Sequence, residues 1–184
     1  MLEVLHKCGA LKLLLPEMNY VKHKNSIKKS FEYAFKSKHS PEIKAALFFM
    51  YLYPLKGNSK LQGEIYTRLS VPNAVKKLTE KTIANLSDLK QFKKLKPRQI
   101  LDLIYKMDLF RNPDMLLDVM KIFEAFISSQ SNQLRTASTT LKSLKKFLKH
   151  LNKLNLSSIS QNKRGLDIKD AIYEARLQVL TKLI

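Results

Sequence analysis

The chain has 184 residues, enough for one substantial hydrophobic core or for a compact body with a smaller appended part. Its 34 Lys and Arg against 15 Asp and Glu give a formal charge of +19, which opposes compaction unless a polyanion meets it; the charge therefore predicts a partner, nucleic acid first and a membrane surface second. The single Cys8 excludes an internal disulfide and suits a reducing compartment, and Glu3, His6 and Lys7 interrupt the first apolar residues too early for a signal peptide, so the default location is cytoplasmic.

Only four glycines and six prolines occur, Leu and Lys are abundant, and no alternating strand of useful length is present, so the expected fold class is all-α. Residues 2–5 and 11–15 flank Cys8-Gly9, which predicts two short helices broken at Gly9. Ser26 is read as opening the next helix, with Ile27, Phe31, Ala34 and Phe35 on one apolar stripe and Lys28, Lys29, Lys36 and Lys38 elsewhere. Residues 43–54, IKAALFFMYLYP, are apolar on every side from Ala45 to Tyr53. A helix without a polar face must be enclosed by protein or lipid. Nine residues rise only about 14 Å, far short of a bilayer, so this is a buried central helix around which the rest packs. Ser40 as cap, Pro41 at the first helical position and Glu42 near the positive dipole end mark its start, and Pro54 marks its end.

Gly57-Asn58 predicts a turn, residues 59–69 a helix, and Val71, Ala74, Val75, Leu78 and Thr82 another helix ending near Leu86. Residues 87–96 read as a Lys-rich connection, after which Pro97 precedes Ile100, Leu101, Ile104 and Met107 at helical spacing. Asn112-Pro113-Asp114 offers a cap, a first-turn proline and a dipole-favoured acid to a helix with Leu116, Val119, Met120, Phe123 and Ile127 on one face. The polar stretch 128–132 reads as a joint. The division drawn from sequence is therefore a helical body, residues 1–127, and a basic C-terminal helical tail, residues 128–184.

The tail has a different character, because no acidic residue lies between Glu124 and Asp167 while Arg135, Lys142, Lys145, Lys146, Lys149, Lys153, Lys163 and Arg164 do. Leu141, Leu144, Leu148 and Leu151 make one stripe, and Lys142, Lys146, Lys149 and Lys153 stand three or four apart on another. Like charges at that spacing destabilise an isolated helix by a few tenths of a kcal/mol per pair, a cost that a polyanion relieves. A last helix is expected from about Asp167, with Ile168, Ile172, Ala175, Val179 and Leu183 inward.

No active site is visible. His6, His23, His39 and His150 are scattered without an adjacent acid, and Cys8 stands alone, so neither a metal nor any other cofactor is expected. His39 and His150, each beside a Lys, are read as exposed, and His23 as able to touch phosphate. Nucleophile elbow, phosphate loop and Asp-x-Asp are all missing. Phosphate binding is better supported, by the 142–153 stripe and more weakly by Lys22, Lys24, Lys28 and Lys29 and by Lys90, Lys93, Lys94, Lys96 and Arg98. Few aromatics interleave with these cations, which favours a shape-read duplex over stacked single strands. The plain alternative for each cluster is a solvated helix face.

Residues 4–18, VLHKCGALKLLLPEM, resemble the segment that follows the catalytic head in bacterial CCA-adding enzymes, the tRNA nucleotidyltransferases. The resemblance continues in order through Ala45-Ala46-Leu47, Arg68-Leu69-Ser70-Val71-Pro72-Asn73, Leu95-Lys96-Pro97, Arg111-Asn112-Pro113, Gly165-Leu166-Asp167-Ile168 and Ala175-Arg176. It implies the all-helical neck, body and tail that grip a tRNA while a separate head adds nucleotides. Phe49-Met50 stand where some members carry the His-Asp pair of a metal phosphohydrolase, and the sheet-bearing head with its paired aspartates falls outside these residues. The expected function is thus tRNA binding without a bond-making step. Lys142, Lys146, Lys149, Lys153, Lys163, Arg164, Lys28 and Lys29 would neutralise the phosphate backbone, and a head supplied elsewhere would do the chemistry. The rivals are an HD-type phosphohydrolase with unusual ligands, and a basic helical module for an acidic protein or an anionic membrane.

Overall fold

A computed structural model describes residues 2–52, 59–128, 134–157 and 166–184. The fold is all-α, with no strand among the described residues. In chain order the helices are α1 (Leu2–Lys7), α2 (Ala10–Leu14), α3 (Tyr20–Lys36), α4 (Pro41–Met50), α5 (Ser59–Arg68), α6 (Asn73–Lys90), α7 (Pro97–Lys106), α8 (Met115–Ile127), α9 (Leu134–Leu151) and α10 (Leu166–Leu183). None is long and apolar enough to cross a membrane. By packing, the chain forms two units: Met1–Ile83 with Lys121–Leu134, and Ala84–Met120 with Arg135–Ile184. Each unit is built from two chain segments, whereas the sequence reading drew a single line after residue 127.

In the first unit Gly9, at φ +78°, separates α1 from α2; a side chain there would be strained, which is why the break falls on glycine. α3 starts six residues before Ser26. Asn19 Oδ1 accepts the Lys22 N–H at 3.1 Å and caps it, while Ser26 lies inside the helix and its carbonyl accepts from Tyr51 Oη at 3.0 Å. The buried face of α3 is Tyr20, Ile27, Ser30 and Ala34. Phe35, one residue and about 100° further round from Ala34, is 62 % exposed, so the expected stripe is too wide by that residue.

α4 begins as read: Ser40 Oγ accepts the Ile43 N–H at 3.4 Å, and Pro41 takes the first turn. Ala46, Leu47 and Met50 are wholly enclosed, and Phe49 meets Phe48 and Tyr66 edge-on, each at 5.4 Å. Enclosure is not complete, however, because Ala45 and Phe48 are only half-buried. The helix ends at Met50; Pro54 and the expected Gly57-Asn58 turn lie outside the described residues. Ser70, at φ +47°, turns the chain from α5 into α6, which runs to Lys90, four residues beyond Leu86, because Leu89 is fully buried and continues the apolar face.

In the second unit Phe92–Lys94 form a short 3₁₀ turn with Phe92 buried, so the Lys-rich connection is anchored. α7 buries Ile100, Leu101, Leu103 and Ile104, with Met107 following them into the core. α8 begins at Met115 rather than directly at Asn112-Pro113, because the Asn112 side chain turns back to donate to Asp108 Oδ2 at 3.1 Å. Its whole expected stripe is buried, Leu116, Val119 and Met120 in this unit and Phe123 and Ile127, past Met120, in the first. α9 buries Leu144, Leu148 and Leu151 while Leu141 is half-buried. On α10 the expected inward residues Ile168, Ile172, Ala175, Val179 and Leu183 are only half-buried, and the enclosed ones are Arg176 and Leu180. Arg176 turns the helix this way: its guanidinium sits 3.5 Å from the Phe110 ring centroid and donates to Tyr105 Oη at 2.7 Å.

Candidate nucleic-acid interface

The amphipathic pattern of α9 follows from its spacing. Ala137, Thr140, Leu144 and Leu151 recur at three, four and seven residues and are buried, which leaves Arg135, Lys142, Lys146 and Lys149, recurring at seven, four and three, together on the exposed side. Lys145 is exposed beside them. At about 1.5 Å per residue this row spans about 21 Å, with its lysines one turn apart. Lys153, also exposed, lies in the turn beyond the helix, where its backbone N–H donates to His150 O at 3.1 Å. Among the described residues none of these six cations is ion-paired with an acid. Of these cations Lys149, in the last turn of α9, also suits the helix dipole, whereas Arg135 stands in the first turn, where the dipole opposes a cation. His150, expected to be exposed, is half-buried, and its Nδ1 lies 2.8 Å from Lys146 O. Lys163 and Arg164 lie outside the described residues.

The weaker cluster on α3 is partly neutralised. Lys28 and Lys29 are exposed, but Glu3 sits among these lysines, 2.9 Å from Lys24 Nζ and 3.9 Å from Lys7 Nζ. The Lys24 hydrogen bond and charge, then Lys7, hold the Glu3 carboxyl below the usual carboxylate range, with Lys28 adding to the effect. His23 does not reach toward phosphate: its ring lies 6.1 Å from that of Tyr51, and its Nε2 is buried with no hydrogen-bond partner. His39 is half-buried rather than exposed, and burial, followed by the Lys121 and Lys44 charges, pushes its pKa down.

Around the start of α7, Lys93, Lys94 and Lys96 are exposed, and Arg98 lies 5.8 Å from the Tyr173 ring centroid. Tyr173 stacks on Tyr105 at 5.7 Å and donates to Asp102 Oδ1 at 2.6 Å; burial and then Asp102 push its phenol up, so it stays protonated as the donor. This layer of arginines and tyrosines was missed in the sequence because its members are 71 residues apart and no local spacing announces them. Its ring faces are taken up by one another and by Arg98 and Arg176, which makes it a brace between α7 and α10.

One pair of the motifs that carry the resemblance meets in space: Arg68 Nη2, of Arg68-Leu69-Ser70-Val71-Pro72-Asn73, donates to both oxygens of Glu17, in the segment ending Pro16-Glu17-Met18, at 3.0 and 2.9 Å. Arg176 of Ala175-Arg176 covers Phe110, which lies just before Arg111-Asn112-Pro113 and outside that motif. Phe49 and Met50 are both buried in apolar packing. Among the described residues no group of three or more His, Cys, Asp or Glu is placed to hold a metal ion. Compared with protein-family models, curated proteins and solved structures, the chain matches none. What the site offers chemically is a row of unpaired ammonium groups on a rigid helix.

Proposed function

We propose that this chain is the tRNA-binding portion of a CCA-adding tRNA nucleotidyltransferase, holding the acceptor-bearing RNA toward a catalytic head supplied elsewhere. The observation that carries the reading is the exposed face of α9, where Arg135, Lys142, Lys146, Lys149 and the neighbouring Lys145 stand without a carboxylate. A polyanion is the partner that such a face lacks: each phosphate neutralised releases counterions, and the like-charge repulsion along the helix is relieved at the same time. Lysines act here as point charges, so they track backbone shape without reading bases. Their contribution to nucleotide addition is positional, fixing the RNA so that its 3′ end meets the head with its translational and rotational freedom already lost. The order of the motifs along the chain supports the choice of tRNA over other polyanions, and two of them meet through Arg68 and Glu17.

The deciding experiment is titration of the protein with tRNA over a salt series, with anionic vesicles as competitor. Steep loss of affinity with salt, and displacement of vesicles by tRNA, is the expected result. A flat salt response, or vesicle binding that tRNA does not disturb, refutes the proposal.

A further inference from the structure

An elongated apolar groove of about 770 Å³ lies in the first unit, along α3. Its α3 wall runs from Tyr20 through Ile27 and Phe31 to Phe35, a length of about 22 Å at 1.5 Å per residue. Ala45 and Phe48 of α4, the two residues that keep the central helix from full enclosure, line it as well, and so does Leu14 of α2. Two wall residues, Phe35 at 62 % and Leu14 at 49 %, face solvent with large apolar surfaces. Charged groups stand among the lining residues: Lys24 and Lys28, one turn apart on α3, Lys44 from α4, and the single carboxylate of Glu3. Lys44 lies 4.3 Å from the Phe35 ring centroid.

We propose that this groove is a docking site for an amphipathic helix of another protein, one whose apolar stripe is flanked by acidic residues. Length and openness favour a helix: its body is about 10 Å wide and lays one face into such a channel, reading it through residues at i, i+3 or i+4, and i+7. A lipid tail fits less well, because small-ligand sites enclose about 70–90 % of their ligand, whereas walls as exposed as Phe35 and Leu14 would leave a tail half in water. Charge selects the flanks. Three ammonium groups against one carboxylate leave the groove positive, and Glu3 on Lys24 at 2.9 Å displays the contact that partner carboxylates would make with Lys28 and Lys44. None of these residues lies on α9, so the inference does not rest on the RNA reading and fails separately from it.

The test is selection of the full chain against a display library of 15-residue helices, with apolar residues fixed at helical spacing and all flanking positions randomised. Survivors enriched in Asp and Glu at the flanks are expected. The best survivor, made as a peptide, should bind the wild type and lose at least about tenfold on Phe35→Glu or Leu14→Glu, two exposed positions whose folding is checked by circular dichroism. Reversing Lys24, Lys28 and Lys44 to Glu should turn the selected flanks basic. The proposal is overturned if no sequence is enriched, if the flanks are indifferent to charge, or if survivors bind both groove variants as well as wild type. Stoichiometric uptake of palmitate without peptide selection would assign the groove to an amphiphile instead, and a dimer in sedimentation that Leu14→Glu dissolves would assign it to a second copy.

Discussion

Replacing Lys142, Lys146 and Lys149 together by Gln tests the α9 interface directly. If these three and Lys153 each neutralise one phosphate, the plot of log K against log salt has a slope of about −3.6, at about −0.9 per duplex phosphate contact. Between 50 and 200 mM salt the wild type then loses about 150-fold in tRNA affinity, while the triple variant, left with a slope of about −0.9, loses only about 3.5-fold. The side chains are exposed and carry no ion pair, so nothing in the core is lost. Removing like charges three and four residues apart should raise helix stability by a few tenths of a kcal/mol per pair. The assay is fluorescence anisotropy of labelled tRNA across a potassium chloride series, with thermal unfolding of each variant alongside. A folded triple variant that keeps the wild-type slope would place the contacts elsewhere and refute the reasoning.

Three further outcomes follow from the geometry. Arg176→Ala should cost about 2–3 kcal/mol in urea unfolding through loss of its ring contact with Phe110 and its bond to Tyr105, and Arg176→Lys should recover only part, since an ammonium cannot cover the ring as a planar guanidinium does. Burial holds the Glu124 carboxyl above its ordinary pKa even though Tyr33 Oη donates to it at 3.4 Å; the native state therefore keeps its proton longer than the unfolded chain, and this group's stabilising contribution, complete below the ordinary carboxylate range, is lost as pH rises through the raised native value. Glu124→Gln should abolish that portion of the pH dependence and raise stability at neutral pH, as read by unfolding at a series of pH values; an unchanged profile would contradict the assignment. Asn19→Ala should cost about 1 kcal/mol and fray the first turn of α3, visible as faster amide exchange there, whereas Ser26→Ala should leave that turn unaffected.

What was legible in the sequence was whatever local pattern dictates. The break at Gly9, the Ser40-Pro41 start of α4 and the five-residue stripe of α8 are each set by neighbours within one or two turns, and each stands where the residues put it. The errors come from long-range partners. Asn19 outcompeted Ser26 as a cap because Tyr20 has a buried place to go, and α10 is rolled about its axis because Arg176 found Phe110 and Tyr105 across the second unit. His23 and His39 were misjudged for the same reason: adjacent lysines say nothing about which way a ring turns. The lysines of α9 were readable because exposure there is the complement of an unambiguous leucine stripe.

The residues that carry the family resemblance and those that carry the charge are different sets, and the structure gives them different work. Arg68 is held on Glu17, Arg176 lies over Phe110, and Phe49 and Met50 fill the core, so the motif residues are spent on holding helices together. Lys142, Lys146 and Lys149 belong to no quoted motif and hold nothing together. The two sets must therefore separate under mutation. Arg176→Ala should lower the fraction of folded protein while the folded molecules keep the wild-type salt slope for tRNA, and the triple lysine variant should do the reverse. If Arg176→Ala changed the slope itself, the brace would also be an RNA contact, and the division between framework and grip would be wrong.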